Sequence, residues 1–377
     1  MNKIKIAIVF GTRPELIKLI PVIKEGRRSK NIVINLVFVE QHPALVSKEL
    51  KLHNIKPDQK IKLNIQKNVS LTEKAAEILH KLGTILKNLK PDLTLVHGDT
   101  LTAGMTALSC GLLKLKLAHI EAGLRTYDKM LPFPEEMIRQ SIARFADLHF
   151  CPTDKSVQNL VCENIPIKSI HKVGNTIVDY CNEVKSKLIG ADLAEVSVPA
   201  IKIKNKFDYT QRFILVTIHR RENISEKFEE IRNMIQTIAR DFPDVIFCVV
   251  RHPNPMSMKL SQKLKDSNKN IILIDPVDSI QFHILISKCL LIISDSGGIQ
   301  EEAPCYGKNV MLLREATERP EGIATGHIKI VGYKYSLLKS NMQKVICGKT
   351  KKVKTNPYGD GKAAKRIVKI ISKLLLS

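Results

Sequence analysis

The β-branched run Ile4 to Phe10 hands the chain to Gly11-Thr12-Arg13-Pro14-Glu15-Leu16-Ile17-Lys18. Thr12 and Glu15 have capping-box spacing, and Pro14 is tolerated in a first helical turn, so a helix is expected to begin here. Arg13 lies in its first turn and Lys18 follows one turn after Pro14. Free backbone donors and two cations would make an anion site, most naturally for phosphate. An ordinary strand-to-helix turn with surface cations accounts for the same residues equally well. The turn carries neither G-x-G-x-x-G nor G-K-[ST], so the dinucleotide fingerprint and the P-loop are absent from it.

Acids recur at the ends of two further apolar runs, in His97-Gly98-Asp99-Thr100 and in His119-Ile120-Glu121-Ala122-Gly123. A carboxylate at the carboxyl end of a buried parallel strand stands where ligands bind in open α/β sheets. Pro134-Glu135-Glu136 then opens a helix. For Glu136 the simpler reading is favoured, a first-turn acid complementing the helix dipole. That reading is weaker for Asp99 and Glu121, which end strands.

The second half repeats the arrangement. Phe213 to His219 is an apolar run closed by a histidine, followed by Arg220-Arg221-Glu222. Such a histidine could serve as a general acid–base or phosphate-binding group, or simply be satisfied on a loop. Asp295-Ser296-Gly297-Gly298 follows another apolar run and opens a helical stretch. Its glycines let backbone approach a ligand, and the helix N-terminus supplies donors. Glu302 lies about one turn further in, placed to accept ribose hydroxyls, and Thr317-Glu318-Arg319-Pro320-Glu321 contributes the cation Arg319.

Positioning these groups requires a parallel sheet covered on both faces. Near-continuous apolar strands are expected at 4–10, 34–40, 93–99, 116–120 and 148–152, and again at 213–219, 245–250, 271–275 and 290–295. Helical patterns lie between them, including 135–146, and a last one spans 363–376. Residues 185–212 mix charged and apolar types without a clean period and read as a linker. The simplest architecture is α/β, two doubly wound Rossmann-like domains with an interdomain cleft.

Composition bounds the partners. With 377 residues, 44% of them apolar, the chain has room for two ordinary domains. No apolar run reaches the roughly 18 residues of a membrane span, and the start lacks a signal-peptide shape. The eight scattered cysteines form no C-x-x-C pair and fit a reduced, cytoplasmic protein. The net charge of +23 is concentrated towards the end, where residues 339–377 hold 11 Lys or Arg and one acid. A lysine-rich solvated surface is favoured over a nucleic-acid site, because no zinc finger, RNP-type motif or basic zipper accompanies the charge.

In order along the chain stand Gly11-Thr12-Arg13-Pro14-Glu15, His97-Gly98-Asp99-Thr100, Glu121-Ala122-Gly123-Leu124-Arg125, Pro134-Glu135-Glu136, Gly174-Asn175-Thr176, His219-Arg220-Arg221-Glu222-Asn223, Asp295-Ser296-Gly297-Gly298-Ile299-Gln300-Glu301-Glu302-Ala303-Pro304, Thr317-Glu318-Arg319-Pro320-Glu321 and Asn356-Pro357-Tyr358-Gly359-Asp360-Gly361. This set resembles the non-hydrolysing UDP-N-acetylglucosamine 2-epimerases of bacteria over essentially the whole chain. The resemblance implies a GT-B fold, with an N-terminal domain of residues 1–175, a UDP-binding domain of 176–362, and a final helix, 363–377, packing back on the first domain. It implies interconversion of UDP-GlcNAc and UDP-ManNAc through a 2-acetamidoglucal, without cofactor or metal, in a cytoplasmic homodimer that binds no nucleic acid. The positions matching the acid–base groups are Asp99, Glu121, Glu135 and His219. Those matching nucleotide contacts are Arg13, Lys18, Phe282, Ser296, Gly297, Gly298, Glu302 and Arg319.

The chain also departs from the pattern. Pro43 and Ala44 follow Gln41-His42, the segment near Val69 lacks an arginine, and Arg251 precedes His252. These positions resemble parts of the family's second, activating UDP-GlcNAc site, so the usual substrate activation is put in question. Val277 stands where some relatives place a uracil-pocket glutamine. Alternatives are a relative acting on another UDP-sugar, a hydrolysing relative, and a basic nucleic-acid-binding protein.

Overall fold

The computed structural model describes residues 3–64, 69–190, 211–220, 223, 227–252, 255–265, 268–349 and 356–376. Two compact units divide the chain: residues 1–180 with 358–377, and residues 181–357. Each is a doubly wound α/β unit, the class that the alternating runs predict and that the GT-B fold implied by the resemblance requires.

The first unit holds a seven-stranded sheet, in order β3-β2-β1-β4-β5-β6-β7, parallel at every pairing. Its strands are β1 (Ile4–Phe10), β2 (Ile32–Val39), β3 (Gln59–Ile61), β4 (Leu93–His97), β5 (Leu117–Ile120), β6 (Leu148–Cys151) and β7 (Ile170–Lys172). Between them run α1 (Arg13–Arg28), α2 (Pro43–Leu52), α3 (Leu71–Leu89), α4 (Leu101–Leu113), α5 (Glu135–Phe145) and α6 (Asp154–Cys162). The order reverses between β1 and β4, the switch point where open sheets bind ligands. Gly11, Asp99 and Glu121 follow the ends of three adjacent strands at that edge.

The helix α7 (Thr176–Gly190) follows. It takes up residues 185–190, which the charged composition had assigned to a linker; a helix with no clean amphipathic period is hard to see in sequence. The remainder of that expected linker, 191–210, lies outside the described residues.

The second unit has a six-stranded parallel sheet, in order β10-β9-β8-β11-β12-β13. Its strands are β8 (Phe213–Thr217), β9 (Ile246–Val250), β10 (Ile271–Ile274), β11 (Ile292–Ser294), β12 (Val310–Leu312) and β13 (Ile328–Ile330). Flanking them are α8 (Phe228–Asp241), α9 (Pro255–Lys265), α10 (Ser279–Lys288), α11 (Gly297–Cys305), α12 (Pro320–Ala324) and α13 (Tyr335–Ile346). Strand β8 shows why the run is continuously apolar. Ile214 and Val216 enter one core with Ile231 and Ile235 of α8, while Phe213 and Leu215 enter the opposite core with Leu285 of α10. The switch point lies between β8 and β11, the strands that lead to His219 and Asp295.

The last helix, α14 (Ala363–Leu376), belongs to the first unit and packs on α1. Asp179 accepts the N–H groups of Ala363 and Ala364 at 3.1 and 2.9 Å, satisfying two donors that a helix start leaves open. No helix among the described residues is long and apolar enough to cross a membrane.

Two glycines separate backbone need from free space. Gly123 has φ +88°, and a Cβ on it would sit 2.2 Å from the backbone oxygen of Ser156. Gly83, inside α3, has nothing within 4 Å of that point. Gly123→Ala is expected to lower stability by at least about 2 kcal/mol. Gly83→Ala should raise it by up to about 1 kcal/mol. Urea unfolding of both checks this, and equal midpoints would contradict the packing described.

Candidate active site

At the first switch point the strand ends meet α1. Lys18 forms a buried ion pair with Glu121, each side chain 7% exposed. The same Glu121 oxygen accepts from Asn175 Nδ2 at 3.0 Å and lies 3.7 Å from His97 Nε2. Glu121 itself has φ +65°, a left-handed conformation that a long side chain seldom adopts. Such strain persists where surrounding contacts over-determine it, and it gathers at functional sites.

Asp99, one strand away, binds the buried guanidinium of Arg139 on α5 and keeps a quarter of its side chain exposed. Asp99 does have a helix at hand, because α4 begins two residues later behind the Thr100 cap. Glu136 is a first-turn acid of α5, as expected, but it is also fully buried. Its carboxylate accepts the N–H groups of Thr126 and Tyr127 at 3.0 and 3.1 Å and faces Arg139 at 3.3 Å, so it fixes the loop between β5 and α5. Glu135, the first residue of α5, is half-buried.

The turn before α1 differs from an open anion nest. Glu15 accepts the N–H groups of Gly11 and Thr12 at 3.0 and 2.7 Å, and the Thr12 hydroxyl at 2.8 Å. Two donors expected to be free are therefore occupied. Arg13 Nε pairs with the buried Glu49 of α2 at 2.9 Å while a quarter of its side chain remains accessible. Capping by the chain's own carboxylate satisfies donors that a bound phosphate would otherwise have to reach.

In the second unit, the fully buried Asp295 gathers the turn after β8. It accepts the N–H groups of His219 and Arg220 and the amide of Asn223, at 3.0 to 3.1 Å. Its Oδ1 lies 3.2 Å from His219 Nδ1. Burial alone would raise this carboxyl, but the facing His219 and the N–H donors hold it below the usual carboxylate range. His219 is a third exposed and stacks on His252, ring centroids 5.4 Å apart. Arg251, one of the departures from the family pattern, pairs with Asp275. Arg221 and Glu222 lie outside the described residues.

Ser296 caps α11, and Gly297 and Gly298 form its first turn. A Cβ on Gly297 would meet Arg319 Nη1 at 2.9 Å, and one on Gly298 would meet Glu302 Oε1 at 3.4 Å. The glycines thus let a guanidinium and a carboxylate lie against the helix start. Arg319 is buried between Glu301, at 2.6 Å, and Glu318. Glu318 also binds Arg314 at 3.0 Å; three arginines keep it ionised against its burial. Phe282 of α10 is half-buried against the core beneath β8.

Each unit thus gathers its own set: Arg13, Lys18, Asp99, Glu121 and Glu135 in the first, His219, Ser296, Gly297, Gly298, Glu302 and Arg319 in the second. Sequence reasoning missed Arg139, which needed knowledge of the face α5 turns to the sheet. It also left Asp295 and Asn175 as motif letters, although for Asp295 a polar residue closing an apolar strand was the available signal.

Two parallel sheets with charged side chains at their switch points define a two-unit α/β protein, with paired carboxylates at the edge of one sheet and a glycine-opened helix start at the edge of the other. A family model described as UDP-N-acetylglucosamine 2-epimerase matches residues 24–372. A UDP-N-acetylglucosamine 2-epimerase of Campylobacter jejuni is 39% identical over 374 residues, covering 98% of this chain and 97% of that protein. The crystal structure of UDP-GlcNAc 2-epimerase from Neisseria meningitidis bound to UDP-GlcNAc is similar with TM-score 0.91 and 37% identity, covering 98% of this chain and 100% of that one. The Methanocaldococcus jannaschii UDP-GlcNAc 2-epimerase in complex with UDP-GlcNAc and UDP is similar with TM-score 0.85 and 31% identity, covering 98% and 100%. The chain belongs to the UDP-N-acetylglucosamine 2-epimerase family, a family of isomerases.

Glu15 gives a pH signature. Burial pushes its carboxyl from 4.5 up to about 7, against the hydrogen bonds it accepts, among them one from the Thr100 hydroxyl at 2.7 Å. A raised acid binds more protons folded than unfolded, so its contribution is complete below pH 4.5 and is lost as pH rises to about 7. The loss is about 3 kcal/mol. Urea midpoints at the two ends of that window should fall further for the natural chain than for Glu15→Gln; equal falls would contradict the assignment.

Proposed function

We propose that the chain interconverts UDP-GlcNAc and UDP-ManNAc by eliminating and re-adding UDP. In the forward step the C2–H and C1–O bonds break. The proton passes to a carboxylate, its electron pair forms the C1=C2 bond of 2-acetamidoglucal, and UDP leaves with the glycosidic oxygen. On return, a proton reaches C2 from the other face and UDP re-adds at C1. Every atom and electron is accounted for by the substrate and the side chains, so the reaction calls for no oxidant or metal.

The observation that carries this reading is the pair of carboxylates Asp99 and Glu121 on adjacent strands, each joined to a buried cation, Arg139 or Lys18. Opposite-face transfer at one carbon needs two such groups, one to take the C2 proton and one to return it. Glu135 stands at the start of the helix that carries Arg139 and joins this set. His219, oriented by Asp295 through Nδ1, presents Nε2 to stabilise or protonate the departing diphosphate. Uridine diphosphate is assigned to Ser296, Gly297, Gly298, Glu302, Phe282 and Arg319 in the second unit; Arg13 and Lys18 are the positions of the first unit that match nucleotide contacts of the family.

Incubation with UDP-GlcNAc in D2O, followed by NMR, tests the activity. A UDP-ManNAc signal should grow to equilibrium with deuterium at C2 of both sugars. Free ManNAc would show hydrolysis instead, and turnover restricted to another UDP-sugar would move the assignment to that substrate. Asp99→Asn, Glu121→Gln, Glu135→Gln and His219→Asn should each lower kcat by about 100-fold or more. Near-normal turnover in any one removes that residue from the catalytic set.

A further inference from the structure

His119 sits in β5, two residues before Glu121, and is 1% exposed. Its Nε2 stands 2.7 Å from the carbonyl oxygen of Gly98. A carbonyl can only accept, so Nε2 carries the proton. Burial pushes the ring down to about 3, which leaves it neutral at physiological pH. Nδ1 has no hydrogen-bond partner among the described residues, so the Gly98 contact is the polar bond that holds the ring there.

Gly98 joins His97 to Asp99. Its N–H donates to the carbonyl of Ile120 at 3.0 Å, while its own carbonyl accepts from His119. Both polar groups of Gly98 are therefore bound by consecutive residues of the strand that leads into Glu121. Gly98 has φ +66°, and a Cβ there would lie 3.8 Å from Glu121 Oε1, so the turn also abuts the carboxylate. The Gly98 carbonyl is half of the peptide that leads into Asp99. Fixing it fixes the direction in which Asp99 leaves the strand.

We propose that His119 is a positioning residue for the epimerisation, setting the separation of the Asp99 and Glu121 carboxylates through the Gly98 carbonyl. The inference rests on the epimerase reading above. A proton removed from one face of C2 and returned to the other requires both carboxylates within reach of one carbon. If the clamp loosens, the second transfer slows while escape of the glucal and UDP does not.

The substitutions His119→Gln, His119→Leu and His119→Asn test it. Glutamine can place an amide N–H near the position of Nε2; leucine offers no donor; the shorter asparagine places its amide near Nδ1, away from Gly98. Each is assayed for kcat and KM with UDP-GlcNAc, for UDP affinity, for released 2-acetamidoglucal, and for folded fraction by near-UV circular dichroism. Leucine and asparagine are expected to lower kcat per folded molecule by about 100-fold, with more glucal released. KM and UDP affinity should stay within about threefold, since among the described residues the ring's hydrogen bond goes to the Gly98 carbonyl. Glutamine should restore most of the rate. Should leucine prevent folding, the contrast between glutamine and asparagine carries the test. Equal rates for these two, or a leucine variant as active per folded molecule as the natural chain, would overturn the inference. Absence of turnover in the natural chain would instead overturn the epimerase reading, and the inference with it.

Discussion

Lys18, in the second turn of α1, and Glu121, just past the end of β5, meet at the carboxyl edge of the first sheet as a buried ion pair. Neither charge could be left there alone, because removing one partner of a buried pair costs about 3–5 kcal/mol. The pair therefore ties the first helix to the fifth strand across β1 and β4. Asn175 extends the tie. Its side chain donates to Glu121, and its backbone N–H donates to the carbonyl of Tyr358 at 2.8 Å, where the chain re-enters the first unit. One carboxylate thus gathers a helix, a strand and the returning segment.

In the second unit the central carboxylate is buried beneath the turn it organises. Asp295 is fully enclosed and spends its oxygens on the turn that carries His219, leaving the outer face of the imidazole and the start of α11 accessible. Nearby, Arg319, Glu301, Glu318 and Arg314 form an internally compensated cluster against Gly297. Such a network is stable when every charge is paired, and it holds a guanidinium in place before any ligand arrives.

Much of this arrangement was legible in the sequence. The long apolar strands β1, β4, β8 and β9 announce a sheet covered on both faces, and the residues that end them mark the working edge. The three-residue strands β3, β7, β12 and β13 escaped notice: Gln59-Lys60-Ile61 and Ile170-His171-Lys172 are too short and too polar to show a period. Tertiary pairing, not local pattern, makes them strands. The site followed the same rule. Residues at strand ends and glycine turns could be named from local motif. Arg139, Asn175 and the loop-fixing role of Glu136 depend on contacts across 40, 54 and 10 residues, which no local spacing encodes.

The proposed reaction couples cleavage of the C1–O bond to loss of the C2 proton. Positional isotope exchange tests that coupling directly. UDP-GlcNAc labelled with oxygen-18 at the glycosidic bridge is incubated with the protein and recovered. The account predicts that the label moves from the bridge to the non-bridging β-phosphoryl oxygens as epimerisation proceeds, because UDP departs and rotates before returning. Epimerisation with the label held wholly in the bridge would contradict it.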